Sequence, residues 1–175
     1  GGASPVLAQG KPEVYNATAS LKTAAGASLT APVTISIKRW TTDAERETAR
    51  AALKSGGTAA FQKAIAAMPE AGVLEMGKVK TPIHFARTLP VSGGKLVTLA
   101  TAQPVMYVGA GMPDAKPADK AGYDVAVVIM QVDEAGKADA GDFSPAAKVK
   151  FDETGALLVE DYAAEAVRLM GITRK

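Results

Sequence analysis

Apolar and polar residues alternate from Thr34 to Trp40, with Ile35 and Ile37 on one parity and Ser36 and Lys38 on the other. Alternation of period two predicts a half-buried β-strand. It breaks at Thr41-Thr42-Asp43-Ala44-Glu45-Arg46, where Thr42 and Glu45 have the spacing of a capping box and two carboxylates face the positive end of a helix dipole. Two short helices are expected next, at about 43–54 and 58–68, divided by Gly56-Gly57 and stopped by Pro69. Phe61, Ile65 and Met68 fall at i, i+4 and i+7 of the second and form one apolar stripe, which should lie on a sheet.

The remaining segments read as strands. Alternation covers 13–23, with Tyr15, Ala17, Ala19 and Leu21 on one side, and strand signals recur at 73–79, 83–89 and 95–102. Residues 104–108 read as a short edge strand, and 109–122, with Pro113 and Pro117, as the longest irregular stretch. Residues 124–132 are apolar on both parities, which suits a strand covered on both faces. Asp133-Glu134-Ala135-Gly136 and Asp152-Glu153-Thr154-Gly155 share type I turn chemistry, and the second joins 148–151 to 156–160 as a hairpin. A last strand is expected at about 166–173. Short links favour antiparallel neighbours, and no βαβ alternation builds a parallel sheet. The expected fold class is α+β, mainly β: an antiparallel meander of about eight to ten strands forming a barrel or closed sandwich, with the helical pair inserted after the second strand. Residues 1–12 read as a flexible N-terminal segment and 13–175 as a single domain carrying the insertion at about 43–68.

Composition narrows the partners more than the fold. Twenty basic and eighteen acidic residues leave a net charge of +2, and aromatics are 5% of the chain, which argues against a nucleic-acid surface. No apolar run approaches the roughly 20 residues of a membrane-spanning helix. Without cysteine, disulfides, thiolate metal sites and cysteine nucleophiles are excluded. The chain opens on Gly1, and its small, polar, aperiodic first residues suit the stretch left after a signal peptide is removed, so a secreted or periplasmic location is expected.

The run from Ile37 to Arg46, the later Met68-Pro69, and Lys150-Phe151-Asp152 with Ala166-Val167-Arg168-Leu169 resemble an uncharacterised group of exported bacterial proteins. The likeness runs from about residue 13 to the end. It implies export and a single domain, and it brings no functional residue, because its shared motifs are structural punctuation and the group has no established activity.

Candidate chemistry is sparse, and no catalytic residue, cofactor or metal is assigned. His84, the only imidazole, lies by parity opposite Ile83, Phe85 and Leu89, on the more polar face, with no nucleophile or carboxylate placed beside it. Asp133, Glu134, Asp139 and Asp142 cluster in an expected glycine-containing loop, but lack the spacing of an EF-hand, so a solvated acidic loop is favoured over a calcium site. Gly109-Ala110-Gly111 lacks the following helix of a nucleotide site, and Ser92 lacks the G-x-S-x-G frame. Trp40 reads as a packing hinge between strand and helix, and Lys38, Arg39 and Arg46 as solvated charges rather than a basic patch. Trp40, His84 and Tyr107 are the residues put forward for a ligand or partner surface.

Three functions compete. The first is an exported non-catalytic binding module, holding a small apolar ligand or a protein partner on a barrel of this size. The second is a cofactor-independent enzyme working through carboxylates such as Glu75, or Glu160 with Asp161. The third is an envelope structural or assembly component acting through strand edges or the 109–122 loop. The partner is thus a small molecule or an envelope protein. A dry cavity would favour the first, a pocket with buried carboxylates the second, and a filled barrel with an apolar patch the third.

Overall fold

The structure is a computed structural model, and it describes residues 11–22, 26, 28–105, 121–163 and 167–175. The elements are β1 (Glu13–Lys22), β2 (Ser28–Ile37), α1 (Asp43–Ala66), β3 (Gly72–Met76), β4 (Val79–Val91) and β5 (Gly94–Thr101). They continue with β6 (Val125–Asp133), β7 (Lys137–Phe151), β8 (Leu157–Tyr162) and β9 (Val167–Arg174). Strands β1 to β6 pair in sequence order, β6 pairs with β7, β7 with β9, and β9 with β1. Eight strands thus close an antiparallel barrel, which settles the choice between barrel and sandwich. Strand β8 stands outside the ring. It pairs with the end of β7, Phe151 opposite Leu157 and Lys148 opposite Asp161, while β9 pairs with the start of β7.

Inward residues fill the ring. Tyr15, Ile35, Leu99, Met130 and Leu169 are all fully buried. Between Leu74, Ile83, Leu99, Val128 and Phe143 about 0 Å³ remains for a water-sized sphere, so this part of the barrel is a packed core rather than a ligand chamber.

A second core lies outside the ring, where α1 and the β7–β8 hairpin cover the outer faces of β4 to β7. Phe61 of α1, Phe85 of β4 and Phe151 of β7 meet edge to face, with centroids 5.9 to 6.1 Å apart. Phe61 and Ile65 are completely buried there, and Met68 is half-buried against the same cluster, just past the helix end. The Thr58 hydroxyl accepts the Val149 N–H at 3.1 Å, which satisfies a backbone donor where β7 runs past the start of β6.

Bulges let single strands line both cores. In β4, Ile83 faces Thr101 and Phe85 faces Ala100, so His84 is one residue extra. Ile83 and Ala86 consequently point into the barrel, while Phe85 points into the outer core. A similar shift at 145–146 turns β7 from Phe143 inside to Ala147 outside.

Several expectations change. One helical element replaces the separate pair: it spans Asp43–Ala66 and is interrupted at Gly57, whose φ of 73° and ψ of −164° suit glycine. Ile83 and Phe85 do not share a face, because of the bulge. The stretch 137–142, expected as part of an acidic loop at 133–142, is strand, so Asp139 and Asp142 sit on β7. Pro104 and Val105 lie in no strand, and 106–108 fall outside the described residues. Strand β2 begins six residues earlier than the alternation at Thr34 suggested, at Ser28.

Replacing Phe61 by Ala should cost about 3 kcal/mol or more, since it opens the aromatic cluster from its centre. Chemical denaturation measures this; a loss under about 1 kcal/mol would show that the outer core does not hold the helix.

Candidate functional site

The start of α1 is fixed to the barrel by a short run of hydrogen bonds. Thr41 is fully buried. Its N–H donates to the Ala86 carbonyl and its hydroxyl accepts the Ala86 N–H, both at 2.9 Å. The reciprocal bonds of the capping box then start the helix: Glu45 N–H to Thr42 Oγ1 at 3.1 Å, and Thr42 N–H to Glu45 Oε1 at 2.9 Å. Arg87, directly after Ala86, donates Nη1 to the Thr41 carbonyl at 2.7 Å and Nη2 to Asp43 Oδ1 at 2.9 Å. Arg39 Nη2 reaches Glu45 Oε1 at 2.8 Å. Burial pushes the Glu45 carboxyl up, but the Thr42 N–H and the Arg39 guanidinium outweigh it and hold the group below the usual carboxylate range.

This junction forms one wall of a cleft. The floor is the outward row of β4 and β5, where Arg87 faces Thr98 and Leu89 faces Leu96 across the strand pair. The opposite wall is the β7–β8 turn, from Thr154 to Leu157. Arg46 of α1 leans across to that turn: a Cβ built on Gly155 would sit 3.1 Å from Arg46 Nη1, and the φ of 86° at Gly155 further favours glycine. The turn is rigidly tied, since Asp152 Oδ1 accepts from the Thr154 N–H, the Thr154 hydroxyl and the Ala156 N–H. The Thr154 hydroxyl above all, and the turn's N–H groups with it, hold the Asp152 carboxyl below its ordinary range. The space between the walls is about 40 Å³.

A second polar cluster closes one mouth of the barrel. Glu13 Oε2 bonds Lys95 Nζ at 2.5 Å and approaches Arg174 Nη1 at 3.7 Å, while the Tyr15 hydroxyl donates to Glu13 Oε1 at 2.6 Å. Burial first, then the hydrogen bond and charge of Glu13, pushes the Tyr15 phenol well above its ordinary value. Trp40 belongs here. It is 4% exposed, its Nε1 donates to the Lys11 carbonyl at 3.0 Å, and Lys95 Nζ lies 5.6 Å from its ring centre. All its polar capacity is used within the protein, which makes it part of the plug.

His84 lies apart from this plug. Half-buried in the β4 bulge, it donates Nδ1 to the Met68 carbonyl at 3.2 Å, just past the end of α1. Tyr107 falls outside the described residues. Of the carboxylates considered for acid–base work, Asp161 accepts the Tyr123 hydroxyl, a bond that raises the phenol above its ordinary value, and Glu160 is exposed. Asp142 is paired loosely with Arg168 at 3.7 Å on the surface. Among the described residues, no three of His, Asp and Glu gather closely enough to hold a metal ion. No described helix is long and apolar enough to cross a membrane.

The cleft escapes sequence reading except for Arg46 and the hairpin turn. Arg87 and Leu89 point outward, on the face of Phe85, because of the His84 bulge, and nothing local shows where the turn at 152–155 will land.

Glu45→Gln should destabilise the protein at pH 7. Because folding lowers the Glu45 pKa, its contribution is present above the unfolded value of 4.5 and is lost as pH falls through the folded one. Melting curves of parent and variant should therefore draw together as pH falls below 4.5; a constant gap from pH 7 to 3 would contradict this assignment.

Compared with models of protein families, with characterised proteins and with solved structures, the chain matches none.

Proposed function

We propose that this protein is an exported, non-catalytic binding module whose ligand or partner docks outside the barrel, in the cleft between α1, β4–β5 and the β7–β8 turn. The supporting observation is the contrast between the two spaces. The barrel interior between Leu74 and Phe143 has about 0 Å³ to offer, whereas the outer cleft has about 40 Å³ and is lined by two guanidiniums, threonines and leucines. Such a mixture of apolar floor and a few placed polar groups is how binding sites are built. Among the described residues its lining contains no carboxylate or imidazole to act as general base. The packed interior moves the reading away from an apolar ligand inside the ring. Export rests on the resemblance noted above.

A second reading, an envelope assembly component, is supported by β8. Among the described residues it pairs on one edge only, and Tyr162 at its end is 54% exposed. Its bulge and the charges of Glu160 and Asp161 work against open pairing at that end, so the cleft is preferred.

Native mass spectrometry of the protein purified from its own source tests both. The expected result is a retained small molecule or partner that is lost when Leu96→Trp fills the cleft. A species retained equally by both proteins places binding elsewhere, and retention lost on Tyr162→Lys instead favours the strand edge.

A further inference from the structure

The cleft has a chemical preference that follows from Arg46. Its Nε is buried and has no hydrogen-bond acceptor among the described residues, and its Nη2 reaches only the exposed Glu47, at 3.3 Å. A buried guanidinium N–H without an acceptor is unfavourable, and a small oxyanion suits the planar fork of arginine. Arg87 adds a second, largely buried positive charge, its side chain 16% exposed. The nearby anions limit how much negative charge is welcome. Asp43 and Glu47 are 76% and 56% exposed and are screened by water, but Asp152 lies in the turn itself with one oxygen committed to three donors. One further negative charge is accommodated more readily than two. Below the guanidiniums, Leu89 and Leu96 pair across the floor with Leu157 behind them, an apolar surface beside the charged rim. The volume of about 40 Å³ exceeds the roughly 10–15 Å³ that one water requires.

We propose that the cleft binds a monocarboxylate on a short apolar stem, the carboxylate on the Arg46 guanidinium and the stem on Leu89 and Leu96. This rests on the reading of the cleft as the binding site. Phosphate shares the oxyanion chemistry but brings more charge and no stem.

Heteronuclear NMR titration of the full chain tests it, because arginine Nε–H groups are directly visible. At constant ionic strength, butyrate should shift the Arg46 Nε–H and the Thr154 and Gly155 amides saturably, with acetate weaker. Arg46→Gln should reduce butyrate affinity about tenfold or more, the scale of one charged hydrogen bond. Arg50→Gln, an exposed arginine of the same helix, should leave it unchanged. If Arg46→Gln unfolds, Arg46→Lys, which keeps the charge and loses the fork, should show the same weakening. Absence of saturable shifts with butyrate, or unchanged affinity in the folded Arg46 variants, overturns the proposal. Phosphate binding as tightly as butyrate, with the same dependence on Arg46, overturns the monocarboxylate assignment while leaving the cleft as a binding site. Native retention that survives both Leu96→Trp and Arg46→Gln would instead overturn the site itself.

Discussion

Three phenylalanine rings join the helix and the outer hairpin to the barrel wall at one point. Phe61 comes from the helix, Phe85 from the barrel wall and Phe151 from the strand that leaves the barrel, so each ring belongs to a different part of the chain. Edge-to-face contacts add direction to apolar burial, and such a trio has few ways to rearrange. The first half of the helix buries only Ala49 completely, and it is held at its start by the bonds of Thr41 and Arg87 rather than by apolar packing. Remove the shared contact and Arg46 and the Thr154–Leu157 wall lose their common reference. The cleft is therefore a product of the outer core, and its geometry is no more stable than that core.

The opposite arrangement governs the barrel mouth. Glu13 is gripped by Lys95 and Arg174 and also accepts from Tyr15, so strands β1, β5 and β9 are tied across the opening by groups that are mostly shielded from water. Breaking one partner of such a group leaves the others uncompensated, which is why partly buried ion clusters resist piecemeal substitution. Trp40 closes the same opening with carbon surface, and its single N–H is spent on Lys11. One end of the molecule is thus sealed by charge and indole together, while the cleft lies on the flank.

Legibility in the sequence followed the range of the interaction. The capping box at Thr42 and Glu45 is local chemistry, and the structure has both of its bonds. The turns ending at Gly136 and Gly155 are equally local, each with a glycine at positive φ and an N–H returned to the Asp carbonyl three residues back. The stretch 137–147 was hidden because its residues are small: Ala138, Ala140, Gly141 and Ala146 give almost no alternation, and Pro145 speaks against a strand. Those small residues suit a strand with neighbours on both edges, a condition visible only once β6 and β9 are in place. The cleft depends on a bulge and on a hairpin folding across the molecule, both long-range results. Arg46 could be noticed as a charge, but not as one whose Nε would be buried.

The extra residue at His84 has a consequence for how the chain tolerates change in length. Alternation along a strand acts as a reading frame with two phases, inside and outside. His84 shifts the phase once, so that residues before it are read into the barrel on odd numbers and residues after it on even ones. Deleting that residue would not merely remove an imidazole. It would close the β4–β5 ladder without an unpaired residue, leaving Ile83 and Ala86 facing the barrel and Phe85, Arg87 and Leu89 facing outward as before. A single-codon deletion here keeps the neighbouring residues in phase, whereas the same deletion in β3, which pairs on both sides without a bulge, is a frameshift in space.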